Sequence, residues 1–178
     1  PPSLRRLTHS GRTIRWHADA VWTRAQAGFA SIADAALTKE DVEGLAIFFG
    51  STSIDIPIYE SYYEASDSVA LDLFSRASFG YGTIVNETAR HFGIKGPCYT
   101  FTTACTSSAN AFLCAASMVE KGDLQKALVI GYDLFNLTGF YGFESLRLTA
   151  RSSYKPFDKN RDGIIMGEAC GAVILDRQ

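Results

Sequence analysis

The sequence predicts an α/β fold, a sandwich of helices against a mixed β-sheet, and three features of its 178 residues predict it. Short, strand-like runs recur around 45–49, 98–103, 127–130 and 167–176. Between them lie segments whose apolar residues repeat at close to 3.6 residues, the period of a helix packed on one side. Glycine and proline punctuate the joints, at Gly50, Gly93, Gly96, Pro97 and Gly122. Helices and strands in that alternation make two kinds of layer around one core.

The first element runs from Ala18 to Leu37, where Val21, Trp22, Ala25, Phe29, Ile32 and Ala36 trace one helix face. Thr38-Lys39-Glu40-Asp41 reads as a polar turn. Val42 or Leu45 through Phe49 is then a buried, central strand ending at Gly50-Ser51. The aromatic stretch 54–63 has no clear period. Ser66 to Phe79 and Ile84 to Phe92 read as helices, the second stopped by Gly93 with Gly96-Pro97 beyond. Cys98 to Thr103 is rich in β-branched and aromatic residues and reads as a strand. Thr106 to Glu120 turns helical, with Ala109, Phe112, Leu113, Ala116 and Met118 as its apolar side, and Gly122-Asp123 closes it. Ala127 to Ile130 is a buried strand, Gly131 to Gly142 a structured loop, and a further polar loop ends at Pro156-Phe157-Asp158. Gly167 to Asp176 supplies the last strand. No repeat or linker divides the chain, so residues 1–178 read as one domain.

Composition excludes several functions. The chain is 47% hydrophobic and 20% charged, the profile of a globular protein. Its 17 basic and 19 acidic residues leave a net charge of −2, which gives no footprint for nucleic acid. No apolar run approaches the roughly 20 residues that a bilayer-spanning helix needs, so no membrane association is expected. Pro1-Pro2-Ser3-Leu4-Arg5-Arg6 has neither an initiator Met nor a following signal-peptide core, so the numbering is expected to begin inside a longer protein. Cys98, Cys105, Cys114 and Cys170 lack C-x-x-C spacing and lie far in sequence from His9, His17 and His91, so no metal site is expected. Reduced thiols in a cytoplasmic protein, packed as small hydrophobes, fit Cys98, Cys114 and Cys170.

Cys105 has a different position. It falls where a strand ends and a helix begins, in Thr103-Ala104-Cys105-Thr106-Ser107-Ser108. The first N–H groups of a helix lack intrahelical partners, and the macrodipole presents its positive end there. Both favour an anion, so this position suits a thiolate nucleophile and the oxyanion formed when it attacks a carbonyl. Ala104 leaves the approach open, and Thr106, Ser107 and Ser108 bring hydroxyls without bulk. Position alone leaves a second reading open, an inert buried thiol.

Three ordered motifs decide between them. Gly96-Pro97 followed by Thr102-Thr103-Ala104-Cys105-Thr106-Ser107-Ser108-Ala109-Asn110 resembles the nucleophile segment of the elongating β-ketoacyl-carrier-protein synthases, members of the thiolase-like superfamily. Gly142-Phe143 with Leu146-Arg147 is similar to that family's next segment. Lys155-Pro156-Phe157-Asp158-Lys159-Asn160-Arg161-Asp162-Gly163 with Gly167-Glu168 resembles its Pro-Phe-Asp-x-x-Arg-Asp-Gly signature. The resemblance covers about Leu45 to Asp176.

It implies the N-terminal half of a thiolase-like layered sandwich built on a mixed five-stranded sheet. Cys105 is then the catalytic nucleophile, which takes an acyl chain from a carrier-protein thioester. Decarboxylation of a malonyl-carrier protein supplies the carbanion that attacks that acyl group, a decarboxylative Claisen condensation in fatty acid, aryl polyene or other polyketide synthesis. The Cys105 N–H contributes to the oxyanion hole, Gly139 and Phe143 lie near the acyl chain, and Arg147 contacts the carrier protein. No cofactor is implied beyond the phosphopantetheine that arrives on the acyl carrier protein. The 98–103 strand pairs with its counterpart in a homodimer, or in a heterodimer with a related synthase subunit.

The family's opening strand is absent before Pro1, and its two catalytic histidines and a lysine belong to a second half after Gln178. By itself the 178-residue chain is therefore expected to be inactive in condensation. His91 reads as a helix-end residue, and Arg5, Arg6, Arg12 and Arg15 as a solvated face. Ala169-Cys170 stands where the family has Gly-Ala, so packing around the last strand is expected to differ. Two rival readings are a non-catalytic partner of the chain-length-factor kind, which typically lacks the nucleophile, and an unrelated cysteine hydrolase, which needs a nearby histidine base.

Overall fold

A strand buried on both faces reads as a continuous apolar run, and Ala46-Ile47-Phe48-Phe49-Gly50 is such a run. In a computed structural model, which describes residues 7–9, 12–14, 31–32, 35–57, 59–60 and 80–177, every residue of this strand is buried. The described elements are β1 (Leu7–His9), β2 (Arg12–Ile14), α1 (Lys39–Gly44), β3 (Ala46–Gly50), α2 (Thr83–Phe92), β4 (Cys98–Phe101), a 3-10 turn (Ala104–Thr106), α3 (Ser107–Lys121), β5 (Lys126–Asp133), α4 (Leu137–Ser145) and β6 (Ala169–Asp176). β1 and β2 form an antiparallel pair of their own. The main sheet has the order β4-β3-β5-β6, with β3 parallel to both neighbours and β6 antiparallel to β5.

The two-residue period of β3 and β5 builds two cores. Ile47, Phe49, Leu128 and Ile130 point to one face, where Ile84, Val85 and Ala89 of α2 meet them. Ala46, Phe48, Ala127 and Val129 point to the other, against Ala111, Ala115 and Val119 of α3. Helix, sheet and helix thus make the layered α/β sandwich expected from the sequence. Burying each large side chain contributes about 1.5–3 kcal/mol, so this double core is the main source of cohesion. Phe48 adds aromatic contacts along β4, with ring centroids 4.9 Å from Tyr99 and 6.3 Å from Phe101.

Where prediction and structure differ, the reasons are local. The mixed sheet has four strands among the described residues rather than five. Thr38 is not in a simple turn but is the N-cap of α1: its hydroxyl accepts the Asp41 N–H, and its own N–H donates to the Asp41 carboxylate. That reciprocal pair is a capping box with Asp in the Glu position. The segment 131–142 is not a loop throughout. β5 runs on to Asp133, and Asn136 then caps α4 by accepting the Gly139 N–H at 2.7 Å. The apolar side expected of α3 is also rotated. Its buried stripe is Ser107, Ala111, Ala115 and Val119, while Phe112 and Leu113 are exposed. Small residues win that face because the helix lies close on the sheet.

Other expectations hold. Gly93 and Gly122 end α2 and α3 in the left-handed conformation. Ser31 and Ile32 are helical, and Ser31 Oγ donates to Ala172 O at 2.7 Å, tying this end of the predicted 18–37 helix to β6. That helix does not reach its predicted end, since 35–36 form a turn with Ala36 at φ 49° and Leu37 is not helical; residues 18–30, 33–34 and 66–79 lie outside the described residues. Cys170 follows Ala169 into β6, pairs opposite Tyr132 and packs half-buried against the α2-side core.

Candidate active site

Two glycines decide where α3 can sit. Gly50 of β3 and Gly131 of β5 are directly in register. A Cβ on Gly50 would lie 2.5 Å from Ser108 Cα and 2.6 Å from the Ser107 carbonyl carbon and oxygen, and one on Gly131 would lie 2.8 Å from Ser108 Oγ. The first turn of α3 therefore rests directly on the backbone of two parallel strands. Ser108 Oγ completes the contact by donating to Gly50 O at 3.3 Å.

The turn that feeds this helix carries Cys105, which is exposed. Ala104, just before it, has φ 54°, a left-handed conformation that a non-glycine residue adopts at a cost of about 1–3 kcal/mol. Hydroxyl groups hold the turn in that shape. Ser107 Oγ, itself buried, donates to Ala104 O at 2.6 Å and accepts the Thr103 N–H at 2.9 Å. Thr106 Oγ1 donates to Thr103 O at 2.7 Å, and Asn110 Nδ2 donates to the Thr103 hydroxyl at 2.8 Å. No side chain caps the helix at Thr106. An anion beside Cys105 thus meets the positive end of a 15-residue helix.

The structure adds a group that sequence reasoning missed. Asp133 Oδ1, at the end of β5, accepts the Thr52 N–H at 2.8 Å, the Ser53 N–H and Oγ–H at 3.0 Å each, and Ser51 Oγ–H at 3.3 Å. Thr52 Oγ1 in turn donates to Ala104 O at 3.0 Å. The clue in the sequence is slight: a Gly-Ser-Thr-Ser run after one buried strand and a single carboxylate after another.

Gly139 and Phe143 belong to α4, and Arg147 follows just beyond its end. Glu60 accepts the Leu137 and Thr138 N–H groups at 2.9 and 2.6 Å and so pins the start of α4, on which Gly139 is the third residue. Phe143 and Arg147 line a cleft of about 430 Å³ with Leu148, Arg161, Asp162, Gly163 and Ile164, and neither Gly139 nor Cys105 lines it. The 155–163 motif forms the far wall. Asp158 Oδ1 accepts the Asn160 N–H at 2.6 Å, and an Arg161 guanidinium N–H donates to Asp158 O at 3.1 Å. Glu168 reaches back to accept the Phe135 N–H at 3.2 Å.

The other cysteines differ from Cys105. Cys98, Cys114 and Cys170 are half-buried and pack on the two cores, and burial pushes the Cys98 thiol above its ordinary pKa. His91 lies in the last turn of α2, edge-on to Phe92. Among the described residues no group of three or more His, Cys, Asp or Glu is placed to hold a metal ion, and no helix is long and apolar enough to cross a membrane.

Comparison with known proteins gives a consistent result. The sequence model of the β-ketoacyl synthase N-terminal domain matches residues 23–178. Among curated relatives, 3-methylorcinaldehyde synthase from Talaromyces stipitatus is 37% identical over 61% of this chain and 4% of its own length. A highly reducing polyketide synthase from Hypocrea virens is 28% identical over 81% of this chain and 6% of its own. Among solved structures, the ishigamide ketosynthase/chain length factor superposes with a TM-score of 0.74 at 26% identity, covering 89% of this chain and 41% of that one. A β-ketoacyl synthase from Burkholderia phymatum superposes with a TM-score of 0.72 at 18% identity, over 99% of this chain and 47% of that one. The chain thus spans under half of these ketosynthase structures and a few per cent of the curated relatives. Because the family model spans residues 23–178, most of the chain, and the mixed four-stranded sheet superposes on ketosynthase structures, the chain belongs to the β-ketoacyl synthase family and carries sequence of its N-terminal domain.

Proposed function

We propose that this chain supplies the acyl-accepting half of a condensing site for polyketide assembly, with Cys105 as the nucleophile. The observation that carries the reading is the exposed Cys105 thiol on a strained turn at the uncapped start of α3. The Cys105 thiolate attacks the thioester carbonyl of an acyl-carrier protein. A new C–S bond to Cys105 forms, the bond to the phosphopantetheine sulfur breaks, and that sulfur leaves as a thiol with a proton. In the second step the malonyl unit loses CO₂, its carbanion forms a C–C bond to the acyl carbon, and Cys105 is released as a thiolate. The Cys105 N–H faces the oxyanion in both steps, and the start of α3 stabilises its charge.

Gly139 and Phe143 lie along the acyl chain, and Arg147 meets the acidic carrier protein. Curated relatives named as polyketide synthases favour a polyketide over a fatty acid product. β4 is an edge strand of the described sheet, and Tyr99 on it is partly exposed, which suits pairing with a second copy or a related synthase subunit. An exposed thiol at Cys105 argues against a purely non-catalytic partner role.

The test is intact-mass measurement after incubation with an acyl-carrier protein. The expected result is the mass of one acyl group, mapped to the Cys105 peptide and absent in Cys105→Ala. Acylation at a different cysteine, or an unchanged mass in the wild type, would overturn the proposal.

A further inference from the structure

Ala104 O accepts two hydroxyl donors of different origin. Ser107 Oγ, at 2.6 Å, belongs to the same turn and moves with it. Thr52 Oγ1, at 3.0 Å, comes from the loop after β3 and ties the turn to the sheet. That loop is itself held by the carboxylate at the end of the adjacent strand, since Asp133 Oδ1 accepts the N–H groups of Thr52 and Ser53 and the hydroxyls of Ser51 and Ser53. The chain contains no cis peptide among its described bonds, so Ala104 C=O and Cys105 N–H lie in one plane and point in opposite directions. Fixing the carbonyl therefore fixes the direction of the N–H.

We infer that Thr52 is a positioning residue for acyl transfer: held by Asp133, it locks the Ala104–Cys105 peptide plane so that the Cys105 N–H faces the acyl oxygen. The role rests on the reading of Cys105 as acyl acceptor. It explains why a hydroxyl from the next loop reaches a carbonyl that already has a donor, and why a left-handed non-glycine residue is tolerated there. Thr52 is exposed, so replacing it leaves the two cores untouched.

Two reactions of the same thiol separate positioning from simple structural damage. Alkylation by iodoacetamide passes through no oxyanion, whereas acylation by a short acyl-N-acetylcysteamine thioester does. Both rates are measured at Cys105 by peptide mass spectrometry for the wild type, Thr52→Val, Thr52→Ser and Asp133→Ala. In Thr52→Val acylation should fall about tenfold, less than the roughly hundredfold cost of deleting an oxyanion donor outright. Alkylation should stay within about twofold, because the thiol itself is unmoved. Thr52→Ser, which keeps the hydroxyl, should restore acylation, and Asp133→Ala should repeat the Thr52→Val pattern. Equal losses in both reactions, or unchanged acylation in Thr52→Val, would overturn the positioning role alone. A wild-type chain that alkylates but does not acylate would instead sink the acyl-acceptor reading, and this role with it.

Discussion

Gly50→Ala adds one methyl group at the point where α3 meets the sheet. Its Cβ would lie 2.5 Å from Ser108 Cα and 2.6 Å from the Ser107 carbonyl carbon and oxygen. Non-bonded carbon atoms rest at about 3.5–4.0 Å, so helix and strand must separate by about 1 Å. None of the three atoms belongs to a side chain, so no rotamer change relieves the clash. Overpacking of a tight core costs about 1–3 kcal/mol, and an all-backbone clash places this change at about 3 kcal/mol. Gly131→Ala is the internal control. Its closest contacts are Ser108 Oγ at 2.8 Å and Ser108 Cβ at 3.1 Å, which move by tenths of an ångström, for a cost of about 1 kcal/mol. A shift of about 1 Å in the turn should also slow acylation of Cys105 by about a hundredfold. Urea denaturation supplies the stability difference, and timed intact-mass measurement supplies the rate. If Gly50→Ala unfolds within about 0.5 kcal/mol of the wild type, the range of an ordinary surface change, and keeps its acylation rate, the close seating of α3 on β3 is wrong.

Limiting iodoacetamide should label Cys105 before the other thiols, because it is exposed while burial keeps the Cys98 thiol protonated; earlier labelling of Cys98 in peptide maps would contradict this. Phe48→Ala should cost about 3–5 kcal/mol by urea denaturation, since the ring is fully buried between α3 and β4, and a loss under about 1 kcal/mol would show that the second core is loosely packed. The Thr38 N–H, then its hydroxyl, then Lys126 hold the Asp41 carboxyl below its ordinary pKa. A depressed folded value stabilises the protein above the unfolded pKa and is lost as the pH falls through the folded one. Asp41→Asn should therefore be less stable than the wild type near neutrality, with the gap closing in acid below about pH 4; a gap independent of pH would refute that linkage.

Much of the fold is legible without coordinates because its signals are local. Ala46–Gly50 has no polar residue, as suits a short strand covered on both faces, and Gly93 and Gly122 can take the left-handed stop that their helices need. The errors are also local. Asn136 heads a helix that contains Gly139 and Gly142, and glycine content argues for a loop when the cap and the Glu60 carboxylate that hold the helix are not in view. On α3, Phe112 and Leu113 suggest the buried side by hydrophobicity, yet Ser107, Ala111, Ala115 and Val119 occupy it, and at its first turn Gly50 and Gly131 bring the helix too close to the sheet for larger residues.

For the site, the sequence alone determined the type of turn and its family: a cysteine between a strand and a helix, with two further motifs in order. Tertiary structure decided what surrounds it. It gathered Phe143 and Arg147 with Arg161 and Asp162 around one cleft, and it joined Ser51, Thr52 and Ser53 to Asp133 and, through Thr52, to Ala104. Thr52 stands 81 residues from Asp133 and 52 from Ala104. A hydrogen bond across such a span depends on strand register, here the parallel pairing of β3 with β5, and periodicity along one segment carries no information about its register against another.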